Sequence, residues 1–400
     1  MKKSWIESES KKWVEEGIID ESQKKAIASR YERQSTPVLF FFLAAVLIGL
    51  ACLSLIAANW TSIHHLWRVV LIIGAMLLFY FVGARAFIQN RQGIGVFAFV
   101  VALSIFGAGI FLLGDMYHFS MNSAIAFLVW GLAVLLIYLS QPQVFIWIFG
   151  LVVVFFGQLV STMQLHDFNW LLMALFVVGY GTVGYFIKQQ NLMWLFTSLL
   201  SILLFAFSIQ ELAYYWYTIF ALILYLFSYI IKTGVVSKPL QGVSILSMFI
   251  IVVYQALFFN WGWQPVVNDI VYYLFLIPFL SLAVLLAVLN RERFGVIQLV
   301  LFLPVFVWPE FSTLLAALVL FAFSIGKMIE GDQFEDSRKE KLGIIAFLIS
   351  VSIVYVEVAW VVLDRTLFFL IGGIILFIVG LLLNRYQQNQ MKGSDDHDAT

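Results

Sequence analysis

Asp115 and His118 stand three residues apart, and Glu357 precedes the adjacent pair Asp364-Arg365. If a helix runs through 115–118, carboxylate and imidazole share one face. Such a pair can orient an imidazole for proton transfer or support a metal. A metal would need His64, His65 or Glu357 brought close by folding; the plainer reading is an interfacial hydrogen-bonded pair beside Tyr117. Glu357 lies inside an apolar stretch, where a charge facing lipid is costly, so it should face the bundle or outer water. Asp364 and Arg365 read as a local ion pair. Asp115, His118, Glu357, Asp364 and Arg365 are therefore the candidate functional polar cluster, with anchoring and helix pairing as the alternative. The chain contains no G-x-x-x-x-G-K, H-E-x-x-H or C-x-x-C, and its single cysteine, Cys52, falls in an apolar run. No catalytic residue, cofactor or metal is assigned.

The elements that would hold these residues are apolar runs. The chain is 62% hydrophobic and 12% charged, against about 25% charge in a soluble domain. A spanning helix needs about 20 mostly apolar residues. Candidate spans are 37–57, 68–88, 94–114, 121–140, 143–162, 170–187, 192–209, 212–231, 241–259, 269–289, 294–308, 310–328, 341–360 and 366–384. The run 294–308 is short, and Trp308-Pro309-Glu310 joins it to the next, so that pair reads as two short helices or one re-entrant hairpin. These runs are too long and too continuously apolar for barrel strands. The fold class is all-α: a polytopic integral membrane helical bundle of about fourteen transmembrane helices, or twelve if one adjacent pair is re-entrant. With the N-terminus inside, all of the 23 lysines and arginines except Arg68 and Arg365 fall in inner segments. This bias predicts an even number of spans in the cell inner (cytoplasmic) membrane, both termini cytoplasmic. No signal peptide is apparent, so the first run should remain as a span. Gly107 and Gly109, and Gly372-Gly373, permit close helix approach.

Residues 1–36 read as a cytoplasmic helical hairpin, 37–386 as the transmembrane domain and 387–400 as a disordered tail. In the hairpin, Gly17 fits the position after a helix end. Asp20 and Gln23 form a capping box for a second helix. The hairpin is too small for its own core, so it should lean on lipid, a second copy, the span ends or a protein partner; Trp13, Ile18 and Tyr31 are the candidate docking residues. Its acidic residues offset its basic ones, which argues against nucleic acid.

Trp13, Gly17-Ile18-Ile19, Gln23, Ile27 and Tyr31, followed by an apolar span, resemble the N-terminal region of the DUF2157 family of predicted bacterial membrane proteins. Ala58-Asn59-Trp60 and the stretch GAGIFLLGDMYH, Gly107 to His118, resemble that family too, with Asp115 where Gln is more usual. Tyr355 to Arg385 resembles the end of that family and of the related DUF4401 group. The resemblance covers about residues 5–140 and 350–386. It implies an integral membrane protein and carries over no catalytic residues. Three functions are compatible with the sequence: a structural or regulatory membrane protein docking a partner through its hairpin; a transporter or flippase of a hydrophobic or lipid-like substrate; and an envelope-assembly enzyme with an outer-face site. The first is favoured, because few polar groups lie at mid-depth. Membrane lipids are expected contacts in every case.

Overall fold

In the computed structural model, the described residues are 64–116, 123–231, 233–258, 269–290, 293–307 and 311–362. Shorter described pieces lie at 10, 13–14, 17, 20–24, 40, 43–44, 47–48, 51, 54, 373–374 and 377. The described regular structure is helical, and the chain divides into two compact units, 1–186 and 187–400. It is an all-α, polytopic membrane bundle. Eight described helices are long and apolar enough to cross a bilayer, and Ala124–Ser140 and Tyr214–Ile230 are apolar but shorter. Eight is fewer than the fourteen apolar runs for local reasons. The first and last runs lie largely outside the described residues, as do the side chains from Glu357 onward in the helix from Ser337, and 294–308 is not one continuous helix.

In the first unit, the expected cap is present at 20–24. The Asp20 N–H donates to Gln23 Oε1 at 3.0 Å, and the Gln23 N–H donates back to Asp20 Oδ1 at 2.7 Å. Gly17 has φ 72°, a left-handed conformation that glycine adopts at no steric cost. The Ser22 hydroxyl and the Gln23 N–H both donate to Asp20 and hold its carboxyl below the usual value. A depressed folded pKa means the cap is intact above the unfolded carboxyl pKa and lost as pH falls through the folded one. Asp20→Ala is expected to speed hydrogen exchange at the Gln23 and Lys24 amides at neutral pH, and Asp20→Asn to preserve most of their protection; mass-spectrometric exchange on the full chain checks this.

Helices α1 (His65–Ile88), α2 (Gln92–Met116), α3 (Ser123–Ser140), α4 (Val144–Met163) and α5 (Trp170–Ile187) follow. Asn90, at φ 58°, ends α1, and the Arg91 N–H closes on the Ala86 carbonyl at 2.9 Å. That is the 6→1 bond that turns a chain sharply after a helix. Lipid is as apolar as leucine, so helices associate there by close packing. Small residues accordingly sit at the contacts. A Cβ on Gly107 would fall 2.2 Å from the Trp130 ring, and one on Gly109 2.8 Å from Ile72. The expected close approach at this pair is present; among the described residues, Gly373 has no neighbour within 4 Å of an added Cβ.

Helix α5 is interrupted by a π-helical turn, Leu175–Tyr180. Such a turn displaces carbonyls from the regular ladder. The Trp147 indole donates to the Tyr180 carbonyl at 3.2 Å, and the buried Tyr180 hydroxyl donates to the Gly131 carbonyl at 2.8 Å. One residue thus ties α3, α4 and α5 together. Tyr180→Phe is expected to lower stability by about 1 kcal/mol, read as a small fall in melting temperature in mild detergent.

The second unit holds α6 (Gln190–Glu211), α7 (Tyr217–Ile230), α8 (Gly234–Phe258), α9 (Ile270–Leu289), α10 (Arg293–Gln298), α11 (Ser312–Gln333) and α12 (Ser337–Val362). After α10 the chain passes into 3₁₀ turns at Leu299–Phe302 and Val305–Val307, broken at Leu303, whose ψ is 135°, and Pro304. Proline supplies no N–H to a ladder. Irregular backbone at membrane depth is tolerated only where protein surrounds it. Leu299, Leu301, Phe302, Val305 and Phe306 are all 3% exposed or less, whereas Leu303, at the break, is 45% exposed.

This broken segment runs nearly the full length of its neighbour. Phe294 meets Phe334 at a ring separation of 6.0 Å, at one end of the unit. Phe306 meets Tyr215 and Tyr272 at 5.5 and 5.7 Å, at the other. Tyr272 belongs to the first turn of α9, and α9 from there to Leu289 is about 26 Å long at 1.5 Å per residue. An α-helix over 293–307 would reach only about 22 Å. The 3₁₀ turns, at about 2.0 Å per residue, and the extended step supply the difference.

Candidate functional site

Where the broken segment begins, the second unit opens a cavity of about 600 Å³. Its charged and polar lining comes from four elements: Lys238 and Gln241 from α8, Gln298 from α10, Lys327, Glu330 and Gln333 from α11, and Lys339 from α12. The geometry is set by the turn between α11 and α12. Glu335 takes φ 51°, and the Asp336 N–H reaches back to the Gly331 carbonyl at 2.9 Å. The Asp336 carboxylate then caps α12 by accepting from the Arg338 N–H at 3.0 Å. Gly331 and Gly343 let the two backbones nearly touch. A Cβ on Gly331 would lie 2.4 Å from the Glu340 nitrogen, and one on Gly343 2.7 Å from the Met328 nitrogen.

That hairpin brings Lys327 and Lys339 to the two oxygens of one buried carboxylate. Lys327 Nζ is 2.7 Å from Glu330 Oε2, and Lys339 Nζ is 2.8 Å from Oε1. The Gln298 amide, 7% exposed, also donates to Oε2 at 3.4 Å. Lys339 lies over the Phe334 ring, 5.5 Å from its centroid, a favourable cation–π placement. Each ammonium has three donors and spends one on Glu330, so both keep donors for a ligand. Lys238 adds a third ammonium and, among the described residues, forms no ion pair. Three ammonium groups against one carboxylate leave the cavity positive, with Gln241, Gln298 and Gln333 offering neutral hydrogen bonds. An anion fits this arrangement.

A second, apolar groove of about 360 Å³ lies alongside and shares Gly242, Ile245, Lys327 and Lys339 with the cavity. Its other walls are Trp194, Leu246, Phe249, Leu342, Ile345 and Ile349 and their neighbours. Leu246, Leu342 and Ile345 are more than half exposed, so the groove is open along its side.

The residues singled out in the sequence lie elsewhere. Asp115 is in the last turn of α2 and Glu357 in α12, each with only its backbone described; His118, Asp364 and Arg365 lie outside the described residues. No contact among these five falls within the described residues, and no group of three or more metal-ligating side chains occurs there. Of the docking residues, Trp13 is helical and half-buried, and Ile18 and Tyr31 lie outside the described residues. Sequence reasoning missed the lysine cavity because its lysines read as positive-inside charges. The available signal was Lys327 and Glu330 one helical turn apart at the end of an apolar helix, with Gln298 inside the neighbouring apolar run.

Residues 11–147 match the model of a family described as "Predicted membrane protein (DUF2157)". The match covers the N-terminal part and supports the first of the two resemblances; the DUF4401-like C-terminal stretch has no such support. No curated protein and no solved structure matches the chain.

Proposed function

We propose that this multi-pass membrane protein is a transporter or flippase of a hydrophobic or lipid-like substrate, working through its second unit. The observation that carries the reading is the discontinuous segment Arg293–Val307, which runs the length of α9 and places Gln298 in the wall of a charged cavity. Broken helices beside a polar cavity are a recurring device of transporters, because freed backbone and re-aimed side chains can meet a substrate at depth. In this reading 293–307 is a full crossing rather than a re-entrant hairpin. The chain then crosses about fourteen times in the inner membrane with both termini cytoplasmic, and the lysine cavity opens toward the cytoplasm.

The test is lipid movement in proteoliposomes carrying a fluorescent lipid, with quencher added outside. Faster quenching of the inner-leaflet label than in protein-free vesicles is expected, and Pro304→Leu, which favours a regular helix, should slow it at least several-fold. No acceleration by the unaltered protein would remove the reading.

Docking of a protein partner through residues 1–36 is the second reading; the capping box at Asp20–Gln23 gives that segment a defined helix start on which a docking face can be built. A version lacking residues 1–34, purified beside the intact chain, tests it: a defined partner held only by the intact form is the expected result, and identical co-purification from both would end it.

A further inference from the structure

The cavity and the groove meet at two lysines, and this junction says more than either space alone. One space is positive and lined with amide donors; the other is apolar and open along its side. Lys327 and Lys339 belong to both. An amphiphile that satisfied both would carry an anionic head and at least one hydrocarbon chain, joined within the width of a lysine pair.

We infer that the two spaces form one binding site for an anionic phospholipid, its phosphate held by Lys238, Lys327 and Lys339 and one acyl chain laid in the groove beside Trp194, Leu246 and Ile345. This inference rests on the lipid reading above and deepens it by naming the substrate class. Charge selects the head. A zwitterionic head brings its own cation to a site that already has three ammonium groups, whereas an anionic one relieves their mutual repulsion. Glu330 offsets one of the three positive charges but fixes Lys327 and Lys339 in place, and both retain donors. Preset donors spare the bound state the ordering of two long side chains. Access for the chain is lateral. Leu246, Leu342 and Ile345 are 57%, 62% and 54% exposed, so a lipid can slide its tail in from the bilayer while its head enters the cavity. Phe249 and Phe323 close the inner wall of the groove.

The experiment is native mass spectrometry of the full chain in mild detergent, titrated with dioleoyl phosphatidylglycerol, with dioleoyl phosphatidylcholine and with inorganic phosphate. Two variants accompany it. Lys238→Gln touches no ion pair among the described residues, and Leu246→Trp fills the groove from an exposed position, so both should fold. Phosphatidylglycerol is expected to bind at least tenfold more tightly than phosphatidylcholine, and Lys238→Gln to erase most of that preference. Leu246→Trp should weaken both lipids, and phosphate should compete only weakly. Equal binding of the two lipids would overturn the assignment of the head. Unchanged binding in Leu246→Trp would overturn the assignment of the chain. Phosphate binding as tightly as the lipid would make this a free-anion site and overturn the inference. The transport reading fails separately: selective binding without lipid movement in vesicles removes transport and leaves this site standing, and movement without selectivity does the reverse.

Discussion

Glu330→Ala should destabilise the protein by about 3 kcal/mol, more than removal of any other single charge at the cavity. The cause is what it leaves behind. Glu330 has 9% of its side chain exposed and Lys327 16%. Without the carboxylate, a largely buried ammonium faces a second one with nothing between them, and breaking a buried pair from one side is far costlier than replacing the whole group by apolar residues. The triple replacement Lys327→Met, Glu330→Leu, Lys339→Met is therefore expected to be close to neutral in melting temperature. It should nevertheless abolish selectivity for anionic lipid. Glu330→Ala should do the opposite, melting lower while keeping the preference for phosphatidylglycerol over phosphatidylcholine, because all three ammonium groups remain. Scanning fluorimetry and lipid titration on the same preparations separate the two effects; parallel losses of stability and binding in both variants would show that the carboxylate and the lysines act only as a structural unit.

Gly331→Val is expected to disrupt the α11–α12 hairpin outright, at about 3 kcal/mol or more. Overpacking a core ordinarily costs about 1–3 kcal/mol because flexible side chains can move aside. At Gly331 they cannot, since the nearest atoms to an added Cβ are the nitrogen and Cα of Glu340, at 2.4 and 2.6 Å. The obstacle is backbone, and the helix start itself must shift. Lys339 then leaves Glu330, and the cavity loses one wall. At Gly326 the nearest obstacle is the Ile297 side chain, and a flexible neighbour makes Gly326→Ala milder. Lower yield of folded Gly331→Val protein and near-normal yield of Gly326→Ala on size-exclusion chromatography are the expected results; equal behaviour would refute the backbone argument.

Local signals were readable where chemistry is local. Gly17, Asp20 and Gln23 announce a helix stop and a helix start within seven residues, and those are the conformation and hydrogen bonds found. The apolar runs announced a helical membrane bundle, and Gly107 and Gly109 its close contacts. The shortness of 294–308 marked it as an unusual element, two short helices or a re-entrant hairpin with its neighbour. Its form was not readable, because the 3₁₀ turns and the extended step at Leu303 are settled by packing against distant elements such as Tyr215 and Tyr272. The cavity was hidden for the same reason. Lys238, Gln298 and the Glu330–Lys339 hairpin are far apart in sequence, and each residue has a sufficient local explanation as a topogenic charge or a stray polar group. The register of α11 against α12, set by Gly331 and Gly343, brings Lys339 to Glu330, and the packing of α8 and α10 adds Lys238 and Gln298. Asp115 and His118 stood out because they are neighbours in sequence; the His118 backbone and both side chains lie outside the described residues.

Under the proposed full crossing by 293–307, the stretched segment also sets a preference among membranes. A regular helix meets a thicker bilayer by tilting less, and surplus residues at its ends can be drawn in. Residues 293–307 have no such reserve, since their backbone is already partly drawn out and their ends are pinned by Phe294 against Phe334 and by Phe306 against Tyr215 and Tyr272. In long-chain lipids the bilayer must thin around this one element or the element must break its anchors. With that crossing, the second unit would act as a gauge of hydrophobic thickness, expected to suit thin, fluid membranes better than thick, ordered ones.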